Sequence, residues 1–332
     1  MVGISYHVSH EQFKPGELLN WVQLAERAGF TGALCSDHFK PWSTKQAEQG
    51  GTGFAWSWLG AAMQATSFGF GVVNAPGQRY HPAIIAQAAA TLAEMFPGRF
   101  WMALGSGQAL NERITGDLYP PKFGRNERLK ECVDVIRSLF AGEMVTYYGS
   151  YITVEEAKLY VRPRKVPKIF GAALTPKTAK WVAEWADGMV TVSQPYEKLQ
   201  KMVDAFHEGG GEGKPMYLQV HLSYSDTDEK ARQGAYEQWK NNTIESIVEE
   251  EIFTPEQFDA AAKYIRPDDL DGPIRISSEP EDHIEWIQKD IELGFSNIVL
   301  HNTSLEQERF IRDFGEKVFP AVKKVDDQIP RL

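Results

Sequence analysis

Short apolar runs alternate with amphipathic stretches of helical period along nearly the whole chain, the pattern expected of strands and helices taken in turn. Gly3–Val8 reads as a first strand. Pro15–Ala28 follows as a helix with Leu18, Leu19, Val22, Leu24 and Ala25 on its apolar side and Gly29 as its stop. Gly32–Asp37 is a second strand, and after a Gly-rich loop Phe54–Ala65 is a helix carrying Trp56, Trp58, Leu59 and Met63. Phe68–Ala75, Arg99–Leu104, Lys168–Ala173, Gly188–Val192, Met216–Tyr224 and Ser296–Asn302 continue the strands. His81–Met95, Arg125–Phe140, Lys177–Ala186, Tyr196–His207, Glu281–Leu293 and Leu305–Val325 continue the helices.

Two segments break the rhythm. Residues 145–161 alternate around Gly149-Ser150, which predicts a β-hairpin inserted within about 143–167. Residues from about 229 to 272 are polar and helix-prone without an obvious strand, and read as an insertion over one end of the sheet. Near-continuous apolar strands mean that both sheet faces are covered, which favours parallel pairing. The chain is therefore expected to form one α/β domain over residues 1–332, a (β/α)₈ (TIM) barrel with two insertions. A doubly wound open sheet is the alternative, and its dinucleotide-binding form lacks the G-x-G-x-x-G fingerprint in the first βα turn.

Bulk properties narrow the function classes. The net charge of −10 provides no electrostatic footprint for nucleic acid or an anionic membrane. Cys35 and Cys132 sit in apolar surroundings and read as reduced core residues rather than a disulfide framework. No basic leader with an apolar stretch is evident, and no run approaches the roughly twenty apolar residues of a membrane span. The expectation is a soluble, cytoplasmic protein.

In such a barrel, chemistry collects at the carboxyl ends of the strands. These ends supply Asp37, His38, Trp42, Val73, Asn74, the run from Gly105 to Asn111, the run from Ala172 to Thr175, the run from Thr191 to Gln194, and His301. No H-x-x-x-H or H-x-H pair suggests a metal, and Gly105-Ser106-Gly107 is not a nucleophile elbow. His38, titrating near neutrality and set beside Asp37, is the candidate for proton chemistry. The competing reading is a histidine satisfied structurally by Asp37. Trp56 and Trp58 read as core, and Glu249-Glu250-Glu251 as a solvated face.

Ser36-Asp37-His38-Phe39 with Pro41-Trp42, Arg79-Tyr80-His81-Pro82-Ala83 with Ala86-Gln87, and Gly105-Ser106-Gly107-Gln108-Ala109-Leu110-Asn111-Glu112 resemble the luciferase-like superfamily. Within it they are similar to the group of deazaflavin (F420)-dependent glucose-6-phosphate dehydrogenases. The resemblance continues through Ala186-Asp187-Gly188 to the last strand. It implies a flavin or 5-deazaflavin in the barrel mouth, a small-molecule substrate and a homodimer. It also implies that Asp37, His38 and Trp42 lie by the reactive ring, that Asn111 and Ser193 contact the cofactor, and that the strand-three end, here Val73-Asn74, is where a non-proline cis bond commonly falls.

The sequence departs from that group at several positions. A glutamate expected as an acid is Gln108, which cannot transfer a proton at neutral pH. A phosphate-binding lysine expected near Gln194 is missing, and Arg275 lies out of register with an expected arginine. The glycine pair that approaches the cofactor phosphate is replaced by Leu174-Thr175, although Ala172 and Ala173 remain small. The reading is a flavin-dependent oxidoreductase or monooxygenase using FMN, with a separate flavin reductase as a candidate partner. His38 would move the proton with Asp37 holding it, and Asn74, Gly105, Ser106, Gly107, Gln108, Asn111 and Ser193 would surround the ring. The alternatives are an F420-dependent dehydrogenase or reductase acting on a non-phosphorylated alcohol or sugar, and a flavin-binding barrel without turnover.

Overall fold

A computed structural model describes residues 2–244, 248 and 252–326; the acidic run Glu249–Glu251 lies outside them. Eight parallel strands close into a barrel: β1 (Gly3–Val8), β2 (Gly32–Ser36), β3 (Gly69–Asn74), β4 (Phe100–Leu104), β5 (Lys168–Ala172), β6 (Gly188–Val192), β7 (Met216–Ser223) and β8 (Asn297–Asn302). Neighbours follow chain order, β8 pairs with both β1 and β7, and β6–β7 pairing completes the ring. The fold is the α/β TIM barrel that the alternation predicts.

Two layers of apolar packing explain the near-continuous strand hydrophobicity. Inside the barrel, Leu34, Ala103, Phe170, Val190 and Val299 pack with Trp101 and Tyr217. Gly71 on β3 has no room for a Cβ because the Trp101 indole occupies that space. This plug fills the lower barrel and leaves the upper, carboxyl-terminal end for chemistry. Outside, each helix lays its apolar stripe on the strands. The helix Lys122–Ala141 buries Leu129, Cys132, Val133, Ile136 and Leu139, and ends where Gly142 adopts φ 89°, a left-handed position that suits glycine. Each of those Leu, Ile or Val side chains contributes about 1.5–3 kcal/mol through burial, so Ile136→Ala would cost about 2–5 kcal/mol with its cavity.

The first interruption is an antiparallel hairpin, Val145–Tyr148 with Thr153–Ala157, whose turn contains Gly149-Ser150. Its turn is held by one side chain, because the Glu131 carboxylate accepts from the backbone N–H groups of Ser150, Tyr151 and Ile152. The segment after β7 carries helices Asp228–Trp239 and Pro255–Ala261. It builds a separate apolar cluster of Trp42, Leu110, Ala235, Trp239, Phe258, Leu270 and Ile274. A two-residue strand, Arg275–Ile276, then pairs with the end of β7; it is too short for alternation to reveal. A short helix, Thr44–Gln49, interrupts the loop after β2. Cys35 and Cys132 are buried and free, and Trp56 and Trp58 are core residues. Among the described residues no helix is long and apolar enough to cross a membrane.

One expectation is corrected. The cis non-proline peptide among the described residues is Gly51–Thr52, not Val73–Asn74. Val73 and Asn74 instead continue the regular parallel ladder, opposite Ala103 and Leu104.

Candidate active site

The carboxyl ends of the strands enclose a cavity of about 1260 Å³. The structure brings Asp37, His38, Trp42, Val73, Asn74, Gly105, Ser106, Gly107, Gln108 and Asn111 to one side of it. Ala172, Ala173, Leu174 and Thr175, at and after the end of β5, continue the lining next to Gly105. Ser193 does not line it. Its hydroxyl accepts from the His221 backbone N–H at 3.1 Å, which ties β6 to β7, and the neighbouring Thr191 and Val192 face the cavity instead.

Asp37 does not hold His38. Successive residues leaving an extended strand point to opposite sides, so Asp37 turns toward β3 while His38 turns toward the loop after β4. The Asp37 carboxylate accepts from Asn74 Nδ2 at 2.7 Å and from the Tyr80 hydroxyl at 3.3 Å. Arg79 Nη2 bonds the Asp37 carbonyl at 2.7 Å and lies 3.4 Å from its carboxylate. The same guanidinium lies 3.6 Å from Glu112, whose carboxylate also accepts from the Arg79 backbone N–H at 2.9 Å. Burial raises the Glu112 pKa, and Arg79 is the main opposing influence. Two buried carboxylates thus share one cation, an arrangement that fixes the floor of the site by charge-assisted bonds.

The His38 ring has Asn111 as its partner. Asn111 Oδ1 accepts from the backbone N–H groups of Phe39 (2.9 Å) and Lys40 (3.2 Å), and its Nδ2 lies 3.2 Å from His38 Nδ1. Gln108 Oε1 is 3.5 Å from the same Nδ2. The Trp42 ring stands 5.0 Å from the His38 ring and forms a wall. Burial lowers the His38 pKa, against the pull of Glu11 and Asp37. At Gly107, φ is +85° and a Cβ would meet Glu112 Cγ at 2.9 Å, so this tight turn requires glycine.

Several site residues escaped the reading of the sequence. Glu11 is buried, lines the cavity, and accepts from the Ser36 hydroxyl. Its signal was present: Ser9-His10-Glu11-Gln12 is a polar run leaving a buried strand, as Asp37-His38 is. His7, His221, Gln219 and Trp239 line the inner end of the cavity. His301 lies directly behind, 4.3 Å from the His7 ring and 4.4 Å from the Trp239 ring. Burial lowers His221 to about 4 and depresses His7 and His301 strongly, so this cluster is neutral at physiological pH. Strand periodicity gives no sign that β1, β7 and β8 would stack their histidines at one level.

Arg275 is not a cavity residue. It forms a bidentate pair with the buried Asp290, at 2.6 and 2.7 Å.

A barrel whose strand ends enclose a large, mainly apolar cavity with a few convergent histidines, amides and buried carboxylates has the form of a small-molecule enzyme site rather than a docking module. The luciferase-like monooxygenase family model matches residues 2–297, and the chain belongs to that family. It is 33% identical over 331 residues to an F420-dependent glucose-6-phosphate dehydrogenase of Microbacterium testaceum (strain StLB037), spanning 96% of this chain and 97% of that protein. A protein of the same description from Beutenbergia cavernae is 30% identical, spanning 99% of this chain and 100% of its own length. Among solved structures, an F420-dependent secondary alcohol dehydrogenase in complex with an F420-acetone adduct superposes with a TM-score of 0.90 at 30% identity, covering 97% of this chain and 99% of that one.

Proposed function

We propose that this chain is an oxidoreductase that uses a 5-deazaflavin of the F420 type to interconvert an alcohol and a carbonyl compound. The observation that carries the reading is the Asp37, His38, Trp42 and Asn111 set around one cofactor-sized cavity, in a chain similar end to end to F420-dependent dehydrogenases. The relatives favour this cofactor over the FMN expected above.

The residues present fit a deazaflavin. Asn74 is buried, and its Oδ1 has no protein partner, leaving an acceptor for a ring N–H. Trp42 offers an aromatic wall, and Gly105 and Gly107, having no side chains, would let a ring approach the backbone of the turn after β4. The helix Pro176–Trp185 starts at the cavity, with Thr175, Lys177 and Thr178 lining it; a helix N-terminus with a lysine suits a phosphodiester. When bound, the deazaflavin supplies a hydride donor or acceptor. Asp37, Asn74 and Arg79 would hold it from the β2 and β3 ends, His38 would be available to the substrate oxygen, and Glu11 is a further buried carboxylate whose charge acts on His38. Two cations that the resemblance implies for a sugar phosphate are not available, because a lysine expected near Gln194 is missing and Arg275 is held by Asp290. The substrate proposed is a non-phosphorylated alcohol or its ketone. A homodimer belongs to the same proposal, with light scattering as its check.

FMN is the second reading, supported by one observation: Leu174 and Thr175 stand at the phosphate end in place of two glycines. The test is an absorbance and fluorescence titration of the purified protein with F420 and with FMN. F420 binding at micromolar concentration with FMN at least tenfold weaker is expected. The reverse order would move the chain to the FMN reading, and binding of neither would sink both.

A further inference from the structure

The hydrogen bonds around Asn111 run in one direction. Its Oδ1 accepts from two backbone N–H groups, Phe39 at 2.9 Å and Lys40 at 3.2 Å. Turning the amide over would set its NH₂ against both of them, so the Nδ2 end must face the other way. That end is 3.2 Å from His38 Nδ1 and 3.5 Å from Gln108 Oε1. An NH₂ group can only donate. His38 Nδ1 is therefore an acceptor, and the proton of the neutral ring sits on Nε2. Gln108, accepting through Oε1, turns its own NH₂ away from Asn111. Both His38 and Gln108 line the cavity.

We propose that Asn111 is a positioning residue that makes His38 a neutral hydrogen-bond donor through Nε2–H, with the Gln108 amide as a second neutral donor. This inference rests on the proposed alcohol–carbonyl function only for its chemical consequence. In that reaction the substrate oxygen gains negative charge, and fixed donors in a dry site stabilise such an oxygen strongly. A neutral imidazole acting this way holds the oxygen without giving up its proton; the hydride passes to or from the cofactor, and the proton that leaves the alcohol or completes it is exchanged with water through the cavity mouth. An imidazolium would carry a proton on Nδ1 as well, pointing into the Asn111 NH₂ group.

The charged and titratable surroundings of His38 pull both ways. Glu11 from the loop after β1, Asp37 beside it and the Lys40 backbone favour the protonated ring. Burial is the largest influence and favours the neutral ring, as does Arg79 from the loop after β3. His7 and His10 are also close enough to repel a charge on His38. Burial outweighs the rest, and the Asn111 geometry selects the tautomer of the neutral ring.

The test needs no cofactor. The chain has eight histidines, and long-range ¹H–¹⁵N spectra of the ¹⁵N-labelled protein report the tautomer and protonation of each. The His38 signals are those lost in His38→Gln. The expected result is the Nε2–H tautomer at about pH 7.5, with a titration midpoint below that of an ordinary histidine. Asn111→Asp keeps one oxygen for the two backbone donors and sets the other against Nδ1. It is expected to move the proton to Nδ1 and raise the His38 titration midpoint by about one to three pH units, with the other histidine signals unmoved. A wild-type His38 protonated on Nδ1, or titrating in the ordinary range, overturns the proposal. So does an Asn111→Asp protein, folded by its remaining histidine signals, in which His38 is unchanged; if that variant fails to fold, the wild-type spectrum decides alone. Failure here leaves the cofactor titration untouched, and failure of the titration leaves the tautomer standing.

Discussion

Arg79→Met removes one cation from between two buried carboxylates. The side chains of Arg79, Asp37 and Glu112 are 6%, 1% and 2% exposed, with charge separations of 3.4 and 3.6 Å. At an effective dielectric near 20 each pair is worth about 5 kcal/mol before desolvation is counted. Stranding a buried partner typically costs about 3–5 kcal/mol net. Methionine keeps much of the stem's packing, so the loss reports charge and hydrogen bonding. The pH dependence gives the sharper test. Burial already raises the folded-state pKa of Glu112 with Arg79 opposing, and without Arg79 it rises further. A carboxyl group whose folded pKa exceeds its unfolded value contributes stability below the unfolded pKa and loses it as pH rises through the folded one. The variant should therefore be penalised more at pH 8 than at pH 5, by about 1.4 kcal/mol for every pH unit by which the Glu112 midpoint climbs. Urea unfolding followed by tryptophan fluorescence at both pH values measures this. A penalty under about 1 kcal/mol, equal at the two pH values, would refute the shared-cation account.

Disrupting the bidentate pair with Asp290→Asn should lower stability by about 3 kcal/mol or more while leaving the F420 dissociation constant within a factor of about two, because neither partner lines the cavity. Stopped-flow or steady-state turnover of His38→Ala should fall about 10²–10³-fold, with cofactor binding retained; equal turnover would remove His38 from the reaction. The depressed pKa values of His7, His10, His221, His283 and His301 all arise chiefly from burial. Stability is then full above pH about 6.5 and falls as pH drops toward the folded value, about 4 for His221. Thermal midpoints from pH 7.5 to 4.5 should show this fall, and His283→Gln should flatten it. Gly107→Ala should cost about 1–2 kcal/mol from its left-handed backbone alone, read from the thermal midpoint.

The barrel was legible because its signal is local and repeated: eight apolar runs, each followed by a helical stripe. The strand-end rule also led to Asp37, His38, Asn74 and Asn111 from the sequence alone. Orientation was not legible. Adjacent side chains diverge, so the sequence neighbour of His38 is not its partner, and Asn111 lies 73 positions away. Glu11 shows a signal that was present but passed over, a polar run leaving a buried strand. The stacked histidines of β1, β7 and β8 depend on the register between strands far apart in sequence, which composition and periodicity do not encode.

The small cluster built by the segment after β7 has one further consequence. Trp42 belongs to it, and is tied there by Asn241 Nδ2 on its carbonyl at 3.0 Å and Gln46 Oε1 on its N–H at 2.9 Å. The wall beside His38 is therefore anchored in a minor core rather than in the barrel. Minor cores of this kind open at lower free energy than the main one. Amide exchange along Asp228–Trp239 and around Trp42 should be faster than in β1–β8 and should slow together when a ligand fills the cavity. Entry and escape would then be governed by the breathing of one flank, while the barrel beneath stays shut.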